Sequence, residues 1–486
     1  MASRSVWPSL PSAALFKFPP NSNPNVVPAP AADFTYATTF TIPTAIYNHL
    51  LSVAYPITIA LLYATSVIYV SQINSQRRYE PWKFSKTRWF FWAVIAHNII
   101  LAIYSGWTFA GMAQAIRHTW PGFSGGNGLA GAVDSLCKIH GPRGLGEAVS
   151  FNSTMDFWDT TSGSVKLLTS GTPDSTDVGR LWNEGLAFYG WLFYISKFYE
   201  ILDTGIILAK GKKSSPLQIF HHAGAMMCMW AGIRYMSPPI WMFVFVNSGI
   251  HTLMYTYYTL TALSVPVPQA VKRALTTLQI SQFVFGASYA AAHLFVSYTV
   301  PFSLPYTVIS SFGTGVSSAS SVATAVASAG LGSWIKKMGM RAAGEQGLAE
   351  NVVSPDGSHP GFGDFVEKMK EEIRYKTEYR TVPCLDTSGQ AFAIYLNVLY
   401  LAPLTWLFIN FFIRSYNNRT SANKSQTKTE ALGKAVSDAT KGIGREINEE
   451  PVPPVTHIVD FRKAAKEMVE KVEKQINSVQ EAVKSA

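Results

Sequence analysis

The chain of 486 residues is 48% hydrophobic and only 14% charged, with 13 Trp, 22 Tyr and 29 Phe. A soluble domain usually carries about 25% charged residues, so this balance excludes an ordinary soluble protein and favours a membrane protein with aromatic anchors at both interfaces. The net charge of +10 does not imply nucleic acid, because the Lys and Arg residues sit between apolar runs and in the tail, with no basic face carrying a recognition motif.

Residues 1–45 contain Pro19-Pro20, Pro24, Pro28 and Pro30, which predicts a mostly irregular arm without the compact apolar core of a signal peptide. Seven apolar runs follow, at about 49–71, 89–116, 181–208, 217–236, 239–263, 275–300 and 390–413. At about 1.5 Å per residue each can cross a hydrocarbon core of roughly 30 Å. The expected fold class is therefore an all-α polytopic membrane protein with seven transmembrane helices. The Gly-, Ser- and Thr-rich stretch 117–180 predicts a hydrated loop, and 301–335 a loop or interfacial segment rather than an eighth helix. The domain organisation expected is an arm (1–45), a membrane domain (46–416) with long loops at 117–180 and 301–383, and a charged tail (417–486) holding an amphipathic helix over 461–483. Cys137, Cys228 and Cys384 are spaced too widely for a disulfide framework or a zinc site.

Basic residues set the expected orientation. Arg77, Arg78, Lys83, Lys86 and Arg88, then Lys210, Lys212 and Lys213, then Lys272 and Arg273, then Arg414 and Arg419 all fall on one side if seven helices cross. That side is read as cytosolic, with a luminal amino terminus and a cytosolic carboxyl terminus. Asn152-Ser153-Thr154 is then a luminal glycosylation candidate, whereas the triplets at Asn418 and Asn423 fall on the cytosolic side.

Ionisable groups inside apolar runs are costly in hydrocarbon and mark functional cavities. Lys197, Glu200, Asp203 and Thr204 share one helical face, and Gln218, His221 and His222 share another. His251 and Asn247 lie on the fifth run, Gln279 and Gln282 on the sixth, and Asn98 beside His97 on the second. Such histidines serve as metal ligands, as acid–base or nucleophilic catalysts, or as buried hydrogen-bonding groups. A metal-dependent lipid desaturase or hydroxylase needs more imidazoles in box spacing, and Gln218 stands where a first box histidine would be; an amide is a poor ligand beside imidazole. No resident metal or cofactor is expected. A non-enzymatic transporter, the other alternative, should show internal repeats and interrupted helices.

Four ordered motifs carry a resemblance: KxxExxDT (Lys197, Glu200, Asp203, Thr204), LQIFHH (217–222), NxxxHxxMYxYY (Asn247, His251, Met254, Tyr255, Tyr257, Tyr258) and TxxQxxQF (Thr276, Gln279, Gln282, Phe283). With His97-Asn98, Cys384 and LFINFFIRSY (407–416), the chain resembles the ELO family of very-long-chain fatty acid elongases over roughly 45–300 and 384–416. The resemblance implies an endoplasmic reticulum membrane protein of seven helices, six of them forming a barrel around an acyl tunnel. It implies an acyltransferase, a 3-oxoacyl-CoA synthase that condenses acyl-CoA with malonyl-CoA and releases CO2 and CoA. Ketoacyl-CoA reductase, dehydratase and enoyl reductase are the partners implied, and a homodimer is left open.

By the family box His221 is the expected acyl carrier, with His222 or His251 as runner-up. Neutral imidazole is a competent nucleophile toward a thioester. His222, His251, Asn247 and Gln279 would stabilise the enolate formed by decarboxylation. Asp203 or Glu200 would orient an imidazole, or equally lock two helices together with Lys197. Lys210, Lys212, Lys213, Lys272, Arg273 and Tyr258 would meet CoA at the cytosolic mouth, although membrane orientation alone also accounts for those cations. Gln218 departs from the usual HxxHH, leaving a positioning role but no acid–base role.

Overall fold

The computed structural model describes residues 5–31, 38–123, 127–153, 155–160, 167–311 and 369–423. The charged stretch 312–368 and the tail beyond 423, with its expected helix at 461–483, lie outside the described residues. The described chain is mostly helical. It contains α1 (Thr44–His49), α2 (Ala54–Gln76), α3 (Arg88–Thr119), α4 (Gly128–Cys137), a π-helical segment (Trp182–Gly190), α5 (Trp191–Tyr199), α6 (Ile201–Ala209), α7 (Pro216–Arg234), α8 (Ile240–Ala262), α9 (Gln269–Ala292) and α10 (Ser388–Asn423).

Local chemistry explains where several of these begin. The Thr87 hydroxyl accepts from the Phe90 N–H and opens α3. Ser215 accepts from the Gln218 N–H, with Pro216 at the first helical position of α7. Both satisfy amide groups that a helix start leaves orphaned. Ala54–Gln76, Arg88–Thr119 and Ser388–Ile413 are long and apolar enough to cross a membrane. The helices α7, α8 and α9 are 19, 23 and 24 residues long, but His, Gln, Asn, Thr and Lys interrupt their apolar character. Large side chains such as Trp89 (77% exposed) and Leu61 (62% exposed) project outward from α3 and α2. Outward apolar surface on this scale suits hydrocarbon rather than water.

The third expected run is not one straight helix. Gly185 (φ 155°) interrupts it inside the π-helical segment, in a backbone region that glycine alone enters easily. A second junction falls at Glu200, between α5 and α6. In the packed bundle α3 lies against α8 and the π-helical segment, α8 against α9, α9 against α10, α10 against α7, and α7 against α5. The helix α2 packs on α6 and α7. Trp182, Phe188, Tyr194, Trp230, Ile233, Val244 and Leu404 belong to the buried core between them.

Three expectations are corrected on the side of the bundle where α3 ends and α10 begins. The stretch 117–180 is more than a hydrated loop, for it contains α4 and a hairpin of β2 (Val149–Asn152) and β3 (Phe157–Thr160). Its anchor is Arg180, 2% exposed. Arg180 donates to Asp134 Oδ2 at 2.6 Å and to the carbonyls of Lys138 (2.9 Å) and Pro142 (2.9 Å). A buried guanidinium is tolerable only with such a full set of acceptors.

The sixth run also ends early, at Ala292. From Val296 the chain forms β4 (Val296–Ser311), antiparallel to β5 (Met369–Pro383) on one side and to β1 (Val6–Pro8) of the amino-terminal arm on the other. The alternation of Val296, Tyr298 and Val300 is a strand signal that apolar content alone conceals. Tyr298 donates to Asp134 Oδ1 at 2.8 Å, tying this sheet to α4.

Finally, Cys137 and Cys384 form a disulfide, 247 residues apart. Sequence spacing misjudged them because the cost of closing a loop grows only slowly with its length. The bond joins the end of α4 to the lead-in of α10, where Lys138 also pairs with Asp386. Mass spectrometry checks it: denatured without reductant the chain should take one alkyl label, on Cys228, and after reduction three. Replacing both cysteines by Ser should cost about 2–4 kcal/mol, read as a lower melting temperature in detergent.

Candidate active site

The charged face of α5 and α6, with Glu200 at their junction, lies inside the bundle. Lys197 and Glu200 are 4% and 3% exposed, and Lys197 Nζ donates to Glu200 Oε1 at 2.6 Å. Ser196 Oγ donates to the same oxygen at 3.1 Å, and His251 Nδ1 on α8 stands 3.9 Å from it. The Lys197 ammonium also lies over the Phe193 ring, 3.9 Å from its centroid. One carboxylate thus holds a cation, a hydroxyl and an imidazole together where water is scarce, and its charge is neutralised in place.

A second cluster forms around Asp203. Its Oδ1 lies 2.7 Å from His97 Nε2, and its Oδ2 accepts from the Tyr255 hydroxyl at 2.6 Å. Tyr199 OH lies 3.3 Å from His97 Nδ1. This pins α3, α6 and α8 to one another.

A third cluster begins at Thr204, whose hydroxyl is 2.9 Å from Tyr63 OH on α2 and accepts from Gln218 Nε2 at 3.4 Å. The Gln218 amide nitrogen also lies 2.9 Å from His222 Nε2. Because an amide NH2 only donates, His222 Nε2 is the acceptor and its ring proton is on Nδ1. His221, with its ring centroid 5.3 Å from that of His222, turns instead to α10. Its Nδ1 lies 3.0 Å from the Tyr400 hydroxyl, and that hydroxyl also donates to the His221 carbonyl at 3.0 Å. Among the described residues His221 Nε2 takes no hydrogen bond.

The structure therefore brings together Lys197, Glu200, Asp203, Gln218, His221, His222 and His251 among the expected site residues. It does not join all of them. Gln279 donates to Met254 Sδ at 3.3 Å, linking α9 to α8. The Gln282 side-chain oxygen is buried without a hydrogen-bond partner among the described residues. Asn98 is buried on α3 beside His97, and Asn247 is half-buried on α8. Lys210 and Lys213 are exposed at the connection from α6 to α7, and Lys212 offers its carbonyl to Asn74 Nδ2 at 3.0 Å. Lys272 and Arg273 lie in the first turns of α9, and the Tyr258 ring centroid is 6.0 Å from that of Tyr255. Asn152 ends β2 and accepts from the Met155 N–H at 3.2 Å.

Sequence reasoning overlooked Tyr63, Tyr199, Ser196 and Tyr400. One signal marked a close approach to α7 without naming the residue that makes it. Gly224 lies one turn beyond His221 in mid-helix, where glycine costs about 1 kcal/mol relative to alanine. A Cβ there would stand 2.2 Å from Tyr400 Cε2, so the missing side chain is the seat of the tyrosine ring.

Comparison with known proteins extends this picture. A family model described as ELO: GNS1/SUR4 family matches residues 49–424. The chain is 34% identical over 105 residues to very long chain fatty acid elongase 3 of Homo sapiens, covering 22% of this chain and 39% of that one. It is 38% identical over 104 residues to fatty acid elongase sre1 of Dictyostelium discoideum, covering 21% and 38%. With very long chain fatty acid elongase 1 of Homo sapiens the identity is 34% over 113 residues, covering 22% and 40%. The chain thus matches about two fifths of the length of these relatives. No solved structure matches.

The Glu200 cluster generates a stability test. Lys197→Met leaves a buried carboxylate without its cation and should cost about 3–5 kcal/mol. The double change Lys197→Met with Glu200→Gln should restore most of that loss. Thermal unfolding of the purified variants in detergent measures both.

Proposed function

The chain belongs to the ELO family, and on that premise we propose that it is a fatty acid elongase condensing a long-chain acyl-CoA with malonyl-CoA in the endoplasmic reticulum membrane. The observation that carries the reading is the divergence of two adjacent imidazoles. Gln218 occupies His222 Nε2, while His221 Nε2 is left open. Of the pair, His221 is the nucleophile.

In this reading His221 Nε2 attacks the thioester carbonyl. An N–C bond forms and the C–S bond breaks; Nδ1 keeps its proton, so the ring carries the acyl group as an acyl-imidazolium and CoA departs as the thiolate, which takes a proton from solvent outside the site. Malonyl-CoA then loses CO2, and the resulting enolate carbon attacks the acyl-imidazole. A C–C bond forms, the C–N bond breaks, and the electron pair returned to Nε2 leaves the ring neutral with its proton still on Nδ1. An acyl-imidazole hydrolyses readily, so the site must exclude water. His251, beside the Glu200 and Lys197 pair, is the N–H donor best placed among the expected residues to stabilise the enolate. Gln279 is engaged with Met254 instead.

Seven membrane crossings accommodate this chemistry. In this reading α3, the Trp182–Ala209 segment, α7, α10, α9 and α8 are the six helices of the ring, which their pairwise packing supports, and α2 lies outside it on α6 and α7. The ring interior is the acyl tunnel of the proposal. The Cys137–Cys384 bond supports placing that end in the oxidising lumen, with Asn152 on the same side. The opposite mouth, with Lys210, Lys212, Lys213, Lys272 and Arg273, then faces the cytosol and the phosphates of CoA. The 3-ketoacyl-CoA product requires reduction, dehydration and a second reduction, so enzymes of those classes are the functional partners.

Purified protein given acyl-CoA and labelled malonyl-CoA should release 3-ketoacyl-CoA. His221→Ala and His251→Ala should each lower the rate by at least about 10²-fold while still inserting and folding. Full condensation in both variants would remove the site assignment.

A further inference from the structure

We propose that Tyr400 is a positioning residue for acyl transfer: its hydroxyl holds His221 in the tautomer whose Nε2 lone pair is open to the thioester. The inference rests on the reading of His221 as nucleophile and goes beyond it, since it names the group that makes the imidazole competent.

The argument is one of proton counting. The Tyr400 hydroxyl has one hydrogen and two near neighbours on the same residue, the His221 carbonyl and His221 Nδ1, each at 3.0 Å. A carbonyl oxygen only accepts, so the hydroxyl hydrogen must go to it for that contact to be a bond. The hydroxyl oxygen is then an acceptor for the ring, and Nδ1 must carry the ring proton. Were the hydroxyl to donate to Nδ1 instead, the ring proton would move to Nε2 and the carbonyl contact would be lost. Only the first arrangement satisfies both contacts. It leaves Nε2 unprotonated, because in a neutral imidazole the partner of one nitrogen decides the state of the other.

Packing keeps the phenol in place. Gly224 gives the ring its seat on α7, Phe220 lies against it with centroids 5.6 Å apart, and Tyr400 is itself buried. The Phe408 ring, 6.4 Å from the His221 ring, closes another side. Both Tyr400 and Phe408 belong to α10, so one helix supplies the tautomer lock and part of the wall.

During the transfer Tyr400 exchanges no atom with the substrate. As Nε2 bonds to the acyl carbon and the C–S bond breaks, the ring becomes transiently cationic. The Nδ1–H bond to the hydroxyl oxygen strengthens and holds that proton on Nδ1 until the enolate carbon takes the acyl group. Charge-assisted hydrogen bonds are roughly twice as strong as neutral ones, so the contact favours the transition state over the ground state.

The test is single-turnover acylation by radiolabelled acyl-CoA in the full-length protein, comparing wild type with Tyr400→Phe, which keeps the ring and removes the hydroxyl. The acylation rate should fall about tenfold, the effect of losing one hydrogen bond made in the transition state. KM for acyl-CoA should stay within about twofold of wild type, because the substrate is not touched. In 15N-histidine-labelled protein the His221 ring signals should shift toward the Nε2-protonated form. Gly224→Ala, which displaces the ring and keeps the hydroxyl, should give the same loss. Tyr395→Phe, removing a hydroxyl from the same helix, should change nothing.

Rates are normalised to the monodisperse folded fraction, so a loss of stability does not mask the result. Wild-type acylation per folded site in Tyr400→Phe overturns the proposal, as does an unmoved His221 signal. If His221→Ala itself still condenses, the nucleophile reading fails. If His221→Ala is inactive while Tyr400→Phe acylates normally, only the tautomer lock fails.

Discussion

A carboxylate held inside a lipid-facing bundle constrains everything around it, and Glu200 is that group. Its charge is tolerable only because a lysine, a serine hydroxyl and a histidine from a second helix converge on it. Glu200 also stands at the junction of α5 and α6. Lys197, Glu200 and Asp203 follow one another at three-residue spacing, so the same face carries the ion pair and the carboxylate of the next cluster. From that point the Asp203 cluster reaches α3 and α8, and the Thr204 cluster reaches α2 and α7. Helix packing in lipid lacks a hydrophobic drive between helices, so polar ties of this kind matter more to how these helices meet.

The place of Gln218 makes physical sense in the same terms. An imidazole there would present either a donor or an acceptor according to its tautomer. The amide nitrogen always donates, and it donates to both His222 and Thr204. Two adjacent histidines thereby have different hydrogen-bond partners, Gln218 for one and Tyr400 for the other.

Much of this was legible in the residues. The apolar runs marked α3, α7 and α8 closely, because a run that must stay in hydrocarbon is long and continuous, whereas α9 starts and ends well before its run and α10 continues well past its own. The spacing of Lys197, Glu200, Asp203, Gln218, His221 and His222 marked the clustered faces, because helical periodicity is local. What escaped was either conformational or distant. The Gly185 break is a backbone event in a stretch whose composition reads as helix. The turn to strand at Val296 follows from alternation over a handful of residues that a hydropathy window averages away. Arg180 with Asp134, Cys137 with Cys384, and His221 with Tyr400 are pairings across the fold. No local pattern states which of many tyrosines or cysteines will meet.

The disulfide also dictates an order of events during synthesis. Cys137 leaves the ribosome long before Cys384, which is separated from it by 247 residues, and Cys384 immediately precedes the helix that bears Tyr400. For most of its biogenesis the nascent chain therefore carries Cys137 without its partner and a bundle without α10. Covalent closure and delivery of that last helix are nearly simultaneous. A truncated translation product that stops short of Cys384 lacks the covalent tie and the helix together.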